Sequence, residues 1–443
     1  MNPFDIIIIE AQCVLPEETV LKDVAISDGK IVAIEDKINL TAHPHAQIIE
    51  AKGKHLLPGI IDTQVHFRDP GLTHKEDLQS GSRSALLGGV TTFLEMPNTH
   101  PSTTTKEAIE FKINKAKKTS HTNFGFFIGA NGKNLDEIKA CQGMDGCPGV
   151  KIFLGSSTGD LLLYQEDKLL EIFQSIKSPI ALHSENEEML KERKSIQKEA
   201  TSVHAHYEWR NVETALSSTE RVIGIARKAN KKVHVLHITS KEEIEFLQKN
   251  KDICTVEVTP QHLTLFAPDI YDQIDTKAQM NPPIRTKEHR DALWSIGIEE
   301  NVVDVIGSDH APHTIKEKKR GYPLSPSGMT GVQTILTIML DHVNQGRLTL
   351  EKCVQLLSSR PAQLYNLRNK GALKLGYDAD CTLIDLKKSQ TLKDEDMASK
   401  VGWTPYHNKK IQGVVVGTII NGQAAYLDGV VDENFRGSPI VTI

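Results

Sequence analysis

The sequence predicts an α/β fold, in which a (β/α)8 barrel is accompanied by a small composite β-sandwich lobe from both termini. Two patterns lead to this prediction. Short apolar β-type segments occupy both ends of the chain, and the long middle alternates apolar strands with amphipathic helical stretches. A chain of 443 residues is also too long for one small core, which favours a large barrel with a smaller lobe.

The two β-rich ends, residues 1–55 and 366–443, are predicted to form the lobe together. Their apolar segments are Asp5–Ile9, Val24–Ile26 and Ile31–Ile34 in the first part, and Ala379–Ile384, Gly413–Ile420 and Ala424–Leu427 in the second. Asp28-Gly29-Lys30 and Asn421-Gly422 supply tight turns between neighbouring strands. Similar strand patterns at both ends of the chain indicate one sheet lobe to which both contribute.

The middle of the chain, residues 56–365, is predicted to be the barrel. Its eight candidate strands are Gly59–Val65, Val90–Glu95, Phe124–Ile128, Val150–Leu154, Ile180–His183, Val233–Ile238, Thr255–Val258 and Val303–Gly307. The amphipathic stretches between them include Lys106–Lys118, Leu169–Ile176, Thr214–Ala229 and Lys241–Lys249. Eight βα units favour a closed barrel with its helices outside. An open doubly wound sheet is the alternative, and the lack of a Gly-x-Gly-x-x-Gly after the first strand weakens it.

Charge and composition argue against several classes of protein. The net charge of −5 gives no support for a surface that binds nucleic acid or anionic membranes. The first residues lack the basic and apolar regions of a secretory signal, and the longest apolar runs are strand-sized. The six cysteines include no Cys-x-x-Cys pair, which is typical of reduced thiols. We therefore expect a cytoplasmic protein.

Polar side chains stand at the ends of several predicted strands. They are Gln64, His66 and Arg68 on the first strand, Asn98 after the second, Lys151 on the fourth, His183 on the fifth, His237 on the sixth and Asp309 on the eighth. Each alone has an ordinary explanation, as a core histidine, a helix N-cap or a lysine that reaches water. For His66, His183, His237, Lys151 and Asp309, those explanations would have to hold independently at five strand ends. We therefore predict that these side chains meet in the mouth of the barrel.

Longer motifs around these residues carry a family resemblance. They are PGIIDTQVHFRDPG (58–71), GGVTTFLEMPNT (88–99), GVKIFLG (149–155), ALHSE (181–185), VLHITS (235–240), MNPPIR (280–285), GSDHAPHT (307–314) and GWTPY (402–406). With this ordered set, which extends over nearly the whole chain, the sequence resembles the amidohydrolase superfamily and, within it, the dihydroorotase family. The resemblance implies a metal-dependent barrel with a composite β lobe.

The resemblance also implies a centre with two zinc ions. Lys151 would be carboxylated by CO2, and its carbamate oxygens would bridge the ions, since an ammonium cannot bind zinc. His183 and His237 would complete the β metal, and His66 and Asp309 would belong to the α metal alongside position 64. Asp309 would also accept the proton of the attacking water and pass it to the leaving nitrogen.

Position 64 departs from the histidine of the family motif. The amide oxygen of Gln64 is a weaker zinc ligand than imidazole. In one interpretation Gln64 coordinates through oxygen, or leaves the α ion to its other ligands and water. In a second, the α ion is lost and one zinc remains. In a third, the chain is an inactive dihydroorotase-like partner of aspartate carbamoyltransferase. The third ranks last because the other ligands are present, and two ions with a weak α site are preferred.

The substrate contacts follow from the same resemblance. Arg68 and Asn98 would hold a substrate carboxylate, and Asn281 and His313 would complete the carboxylate and ring contacts. The implied activity is reversible hydrolysis of (S)-dihydroorotate to N-carbamoyl-L-aspartate in pyrimidine (UMP) biosynthesis, by a homodimer. Allantoinases and hydantoinases are the alternative, since they open cyclic amides with similar metal residues. Their substrates lack the carboxylate for which the planar guanidinium of Arg68 is suited.

Three further segments are predicted to have no chemical role of their own. Thr259-Pro260-Gln261-His262, after the seventh strand, is predicted to be structural. Lys316–Arg320 is predicted to be a solvated loop face, because charge runs usually face water. Leu154–Asp160 is rich in Gly and Ser and follows a strand, so we expect it to cover the site.

Overall fold

A computed structural model describes residues 4–155 and 161–443 of the chain. Most of the predicted cover, Leu154–Asp160, therefore lies outside the described residues. The strands, numbered in chain order, are β1 Ile6–Val14, β2 Thr19–Ser27, β3 Lys30–Glu35, β4 Gln47–Glu50, β5 His55–Pro58, β6 Ile60–Val65, β7 Val90–Glu95, β8 Asn123–Phe126, β9 Ile128–Gly129, β10 Val150–Phe153, β11 Ile180–His183, β12 Val233–Val235, β13 Cys254–Val258, β14 Val305–Ile306, β15 Cys381–Thr391, β16 Lys410–Ile420, β17 Gln423–Leu427 and β18 Val430–Val431.

Helices lie between most of the central strands. They are α1 Leu78–Leu87, α2 Lys106–Thr119, α3 Leu135–Ala140, α4 Glu166–Ser175, α5 Glu187–Glu192, α6 Lys194–Glu199, α7 Ala205–Trp209, α8 Val212–Ala229, α9 Lys241–Gln248, α10 Pro260–Thr264, α11 Asp269–Ile274, α12 Lys287–Ala292, α13 Ile315–Lys318, α14 Ile335–Asn344, α15 Leu350–Val354 and α16 Arg360–Leu364. Within the described chain, every helix is too short or too polar to span a bilayer.

The central strands form a closed parallel barrel. One sheet runs β6-β7-β8 and another runs β9-β10-β11-β12-β13-β14, and β8 and β9 are two pieces of one strand interrupted at Phe127. The barrel closes between its first and last strands, where Val65 forms a parallel bridge with His310 and the His66 N–H donates to the His310 carbonyl over 2.8 Å. The predicted fold class, a (β/α)8 barrel, is confirmed.

The two ends of the chain share one sheet, with strand order β18-β17-β16-β15-β5-β1-β2-β3 and β4 paired to β1. The ends join where β15 pairs antiparallel with β5. β5 continues through Gly59 into β6, so this lobe is attached directly to the first barrel strand. The composite lobe agrees with the predicted fold class. The domain boundaries at 55/56 and 365/366 stay a prediction.

Two barrel strands are shorter than the sequence predicted. β12 ends at Val235, and His237 lies beyond it with a positive φ of 38°. β14 is only Val305–Ile306, because the side chain of the preceding residue, Asp304, accepts a hydrogen bond from the neighbouring strand. The Asp304 carboxylate accepts from the backbone N–H of Val256 over 2.8 Å and pairs with Lys251. The Asp304 side chain thus replaces a backbone acceptor just before β14, which apolar periodicity does not reveal.

Long helices on the barrel exterior follow the predicted pattern. α8 is typical: the side chain of Asn211 caps its first turn by accepting from the Thr214 N–H, and the helix ends at Asn230 in the left-handed conformation. Its apolar face, which includes Val222 and Ile223, is buried in the main core cluster. Packing of this kind holds the strand ends, and the side chains on them, in fixed positions.

Candidate metal and substrate site

The carboxyl ends of the barrel strands surround one polar cavity. Of the residues predicted for the site, those that line it are Gln64, His66, Arg68, Asn98, Lys151, His183, His237, Asn281 and Asp309. His313 is absent from this lining but lies against Arg68, with 3.3 Å between its Nε2 and the guanidinium Nη2. The structure therefore brings all the predicted site residues together, and their individual roles follow from the contacts below.

Two histidines on neighbouring strands turn one nitrogen each toward the same point. Nδ1 of His183 and Nε2 of His237 are 3.1 Å apart, and the rings are nearly perpendicular at 80°. Two nitrogen ligands at about 2.0–2.1 Å from a tetrahedral zinc ion lie about 3.3 Å apart. Burial is the main reason why the pKa of both imidazoles lies below its ordinary range, which favours the neutral form of both rings.

A buried carboxylate orients the first of these rings. Nε2 of His183 donates to Oε2 of Glu185 over 2.9 Å, which leaves Nδ1 with its lone pair toward His237. Glu185 is itself paired with Arg210. Burial opposes ionisation of Glu185, but the Arg210 charge, the contact with His183 and the Arg285 charge together outweigh it and lower the pKa of this carboxyl to about 2. The sequence analysis missed Glu185, although its place in Ala181-Leu182-His183-Ser184-Glu185 was a signal that could have found it.

Lys151 is fully buried in the wall of the same cavity. Its Nζ has no hydrogen-bond partner among the described residues and lies 4.7 Å from the centroid of the Phe153 ring. Burial lowers the pKa of this ammonium to about 7. An amine that loses its proton near neutrality is a nucleophile, and reaction with CO2 would turn it into an anion that can bind metal.

His183 and His237 form one half of the cavity, and His66 and Asp309 form the other half. Nδ1 of His66 donates to Oδ1 of Asn98 over 2.6 Å, so Nε2 keeps its lone pair. That lone pair lies 3.2 Å from Oδ1 of Asp309, and burial lowers the pKa of His66, which keeps the ring neutral. Two electron-rich atoms thus face one another, an arrangement that a cation between them would stabilise. The contact also gives Asn98 a role in orienting His66 that the sequence analysis did not predict.

Gln64 occupies the same half through its amide nitrogen. Nε2 donates to Oδ1 of Asp309 over 3.0 Å, while the buried Oε1 has no partner among the described residues. In the opposite amide orientation Oε1 would face the carboxylate oxygen and be repelled by it. Gln64 therefore acts here as a hydrogen-bond donor to Asp309, and Oε1 is the only atom of this side chain that can bind a metal ion.

Arg68 carries a buried positive charge at the other end of the cavity. Arg68 is 3% exposed, and its backbone has a φ of +63°. The guanidinium Nε donates to the Pro312 carbonyl over 3.4 Å, and no carboxylate of the described chain lies within ion-pair distance of it. Burial lowers the pKa of Arg68 to about 10, which still leaves it protonated near neutrality. Nearby, Oδ1 of Asn281 accepts from Nε2 of His206 over 3.0 Å.

Two lysines near the cavity have roles that the sequence analysis missed. Lys75 lies 3.0 Å from Nδ1 of His313. Lys318 corrects a prediction, because Lys316–Arg320 is not wholly a solvated face: Lys318 is fully buried, and its Nζ donates to the carbonyls of Gln279, Pro326 and Gly328 at 2.9–3.0 Å. Its position on α13, one turn after the cap, turns it inward while Lys316, Lys319 and Arg320 are exposed.

The donor set fits metal ions under one condition. Among residues 4–155 and 161–443, no group of three His, Cys, Asp or Glu side chains is arranged to hold a metal ion. Each half of the cavity instead offers two such donors, His183 with His237 and His66 with Asp309, and Lys151 lies in the same cavity. The converging lone pairs fit two cations if Lys151 supplies an anionic oxygen to each.

Comparisons with known proteins agree with this geometry. Residues 55–425 match the amidohydrolase family. The chain is 33% identical over 409 residues to a dihydroorotase from Methanosphaera stadtmanae, covering 90% of this chain and 92% of that protein. It is 33% identical over 426 residues to a dihydroorotase from Pyrococcus abyssi, with 94% of each covered. The fold is similar to an L-hydantoinase (dihydropyrimidinase) from Arthrobacter aurescens, with a TM-score of 0.93, 28% identity and 99% and 100% of the two chains covered.

Proposed function

This chain belongs to the amidohydrolase family, and from that premise we propose that it is a dihydroorotase, a hydrolase of cyclic amides. The reaction is the reversible, zinc-dependent hydrolysis of (S)-dihydroorotate to N-carbamoyl-L-aspartate, a step of pyrimidine (UMP) synthesis. The dihydroorotases from Methanosphaera stadtmanae and Pyrococcus abyssi support this proposal, since each is 33% identical to the chain over most of its length.

The observation that carries the proposal is the buried guanidinium of Arg68. A buried charge is costly unless an opposite charge or several hydrogen bonds compensate for it, and Arg68 has no carboxylate partner in the described chain. The carboxylate of dihydroorotate would provide that partner with paired acceptors that match the guanidinium. Asn281 lines the same cavity, where its amide would contact the ring.

A hydantoinase-type activity on neutral cyclic amides is the second candidate. The similarity to the Arthrobacter aurescens L-hydantoinase favours it, because the TM-score of 0.93 covers nearly the whole chain. A neutral hydantoin or dihydropyrimidine would leave the Arg68 guanidinium without a carboxylate at hydrogen-bond distance, with only the more distant charges of Asp309, Glu95, Glu317 and Glu76 to compensate for it. The electrostatics of the cavity therefore favour the anionic substrate.

The residues that would hold two zinc ions divide between the two halves of the cavity. His183 and His237 would hold one ion, His66 and Asp309 the other, and carboxylated Lys151 both, with Oε1 of Gln64 as an additional weak ligand. Bound zinc would polarise the scissile carbonyl and lower the pKa of the attacking water. One zinc, held by the two histidines and the carbamate, is the alternative stoichiometry.

The side chains of this chain would then control the proton transfers and the substrate pose. The Asp309 carboxylate would take the proton from the attacking water and deliver it to the leaving ring nitrogen. The Gln64 amide, which donates to Oδ1 of Asp309, would keep that carboxylate in one rotamer. Asn98 would hold His66 in its tautomer, and Arg68 would anchor the ring by its carboxylate so that the scissile bond meets the water.

Two statements about partners stay predictions. We expect a homodimer, as the resemblance implies, and a non-catalytic association with aspartate carbamoyltransferase is the remaining alternative. Zinc analysis separates an enzyme from a scaffold, because an enzyme with this donor set should hold one to two zinc ions per chain and a scaffold none.

The decisive experiment is a turnover assay in both directions on zinc-loaded protein. We expect ring opening of dihydroorotate at alkaline pH and cyclisation of N-carbamoyl-aspartate at lower pH, because cyclisation converts a carboxylate into a neutral amide and takes up a proton. Hydantoin and dihydrouracil serve as neutral comparators and should react more slowly. Absence of turnover in either direction would overturn the proposal, and faster turnover of the neutral rings would favour the second candidate.

A further inference from the structure

The side chain of Lys75 lies between His313 and Glu317, beside the substrate end of the cavity. Its Nζ is 3.0 Å from Nδ1 of His313 and 3.1 Å from Oε1 of Glu317. The lysine side chain is only 12% exposed, and burial lowers the pKa of its ammonium. The hydrogen bond with Glu317 opposes that shift and favours the charged form. An ammonium has three donors and no lone pair, so Nδ1 of His313 has to accept.

This contact determines the tautomer of His313. When Nδ1 accepts, the one ring proton of the neutral imidazole sits on Nε2. The surroundings of Nε2 agree, because the Ser327 carbonyl oxygen, which can only accept, lies 3.0 Å from it. The opposite tautomer would place a lone pair against that oxygen and a ring proton against the Lys75 ammonium.

The protonated Nε2 of His313 stands beside the guanidinium of Arg68. The two nitrogens, Nε2 and Nη2, are 3.3 Å apart. Both carry protons, so neither accepts from the other. An anionic oxygen that approaches both nitrogens would share the Nε2–H with the Ser327 carbonyl and accept a second hydrogen bond from the guanidinium. In the opposite tautomer Nε2 would turn a lone pair toward that oxygen and repel it.

The ammonium of Lys75 is itself held in place by the start of α13. Oε2 of Glu317 accepts from the backbone N–H and the hydroxyl of Thr314, at 3.0 and 2.9 Å, while its other oxygen faces Lys75. Thr314 in turn caps the Glu317 N–H, which completes a capping box. One helix cap thus fixes the carboxylate, the carboxylate fixes the ammonium, and the ammonium fixes the imidazole.

We propose that Lys75 is a positioning residue that holds His313 as its Nε2–H tautomer and thereby makes the site prefer cyclic amides that carry a ring carboxylate over neutral ones. The proposal deepens the dihydroorotase function and rests on it for the identity of the anion. Lys75 acts through His313, because its Nζ contacts Nδ1, whereas Arg68 lies beside the opposite ring nitrogen, Nε2.

The tautomer is tested directly by nitrogen NMR of protein labelled with 15N-histidine, with His313→Asn used to assign the signal. We expect the Nε2–H tautomer in the wild type and in Lys75→Arg, which keeps a charged donor. Lys75→Met removes the donor, and a measurable population of the Nδ1–H tautomer should appear. The same tautomer in wild type and Lys75→Met, or Nδ1–H in the wild type, would overturn the proposal.

The selectivity is tested by calorimetric binding of orotate and of uracil, which is the same ring without the carboxylate. Losing one hydrogen bond to an anion should weaken orotate binding about tenfold in Lys75→Met, with uracil changed less than about twofold. Lys251→Met is the matched control, since Lys251 is also partly buried and donates to a carboxylate and a carbonyl, but far from the cavity. It should change neither affinity.

The two measurements separate failure of this proposal from failure of the enzyme assignment. Equal weakening of orotate and uracil in Lys75→Met would indicate a general structural defect and overturn the selectivity. A wild type that binds uracil and not orotate would instead overturn the dihydroorotase function. The NMR result would still decide whether Lys75 fixes the imidazole, because it requires neither turnover nor ligand.

Discussion

Gln64 donates a hydrogen bond of 3.0 Å from its amide nitrogen to Oδ1 of Asp309. The family motif has a histidine at this position, so a neutral donor stands where a metal ligand was expected. The amide favours one orientation of the Asp309 carboxylate while contributing little to metal affinity. Glutamine in place of histidine at position 64 should therefore weaken metal binding in the half of the site formed by His66 and Asp309. It should affect proton transfer by Asp309 less.

Gln64→His should tighten zinc binding in the His66 half without a large gain in rate. Imidazole is the stronger ligand, but the variant loses the N–H that orients Asp309. The measurement is zinc per chain against graded chelator, together with kcat. Gln261→His is a matched control, since Gln261 is also a buried donor but lies outside the cavity lining. A wild type that keeps one zinc in excess metal and turns over well would establish the mono-zinc alternative.

Arg68→Lys should retain zinc and lose activity toward dihydroorotate. Lysine keeps the charge but removes the planar pair of donors, and a hydrogen bond to a charged group is worth about 1.5–3 kcal/mol, so a loss of about ten- to a hundredfold in kcat/KM is expected. Arg227→Lys, in an exposed pair with Asp252, is the control and should be fully active. Full activity of Arg68→Lys would remove the case for an anionic substrate.

Lys151→Ala should abolish activity, and a small carboxylic acid such as acetate should restore part of it. Acetate can place a carboxylate where the carbamate would lie, because the alanine leaves that volume empty. Lys112→Ala tests specificity: Lys112 is equally buried, but its ammonium pairs with Glu95 at 2.8 Å, so acetate should not rescue any loss. Normal zinc content and rate in Lys151→Ala would exclude a carbamate bridge.

Reconstitution of metal-free protein with zinc and CO2 should accelerate as the pH rises through about 7. Burial lowers the pKa of Lys151 to about 7, so the reactive neutral amine falls about tenfold for each pH unit below that value and is the main form above it. The rate of recovered activity, measured at constant dissolved CO2, should therefore level off on the alkaline side. A rate that keeps rising toward pH 10 would indicate an ordinary, unshifted lysine.

Lys318→Met should lower the free energy of unfolding by about 3 kcal/mol, because three buried carbonyls lose their shared donor. Lys316→Met lies on the same helix with an exposed side chain and should change it by less than about 0.5 kcal/mol. Chemical denaturation of both variants makes the comparison. Equal effects would mean that the hydrogen bonds of Lys318 to Gln279 and to the Pro326–Gly328 segment do not stabilise the fold.

The sequence alone was sufficient for the barrel, the shared lobe and most of the polar side chains that line the cavity. Strand and helix periodicities are local properties, and parallel strands in a barrel end at the same rim, so His183, His237 and Asp309 had to converge once the barrel was predicted. Periodicity did not predict where individual strands begin and end. At the start of β14, for example, the Asp304 carboxylate replaces a backbone carbonyl as the acceptor of a hydrogen bond.

Only the tertiary structure decided which atoms of those side chains meet. Gln64 and Asp309 are 245 positions apart, as are Arg68 and His313, and Lys75 and His313 are 238 apart. Nothing in local periodicity specifies which nitrogen of a ring faces a carbonyl, or that Lys318 turns inward from a charged run. These features depend on distances of a few tenths of an ångström between elements packed from distant parts of the chain, and packing of the whole barrel sets those distances.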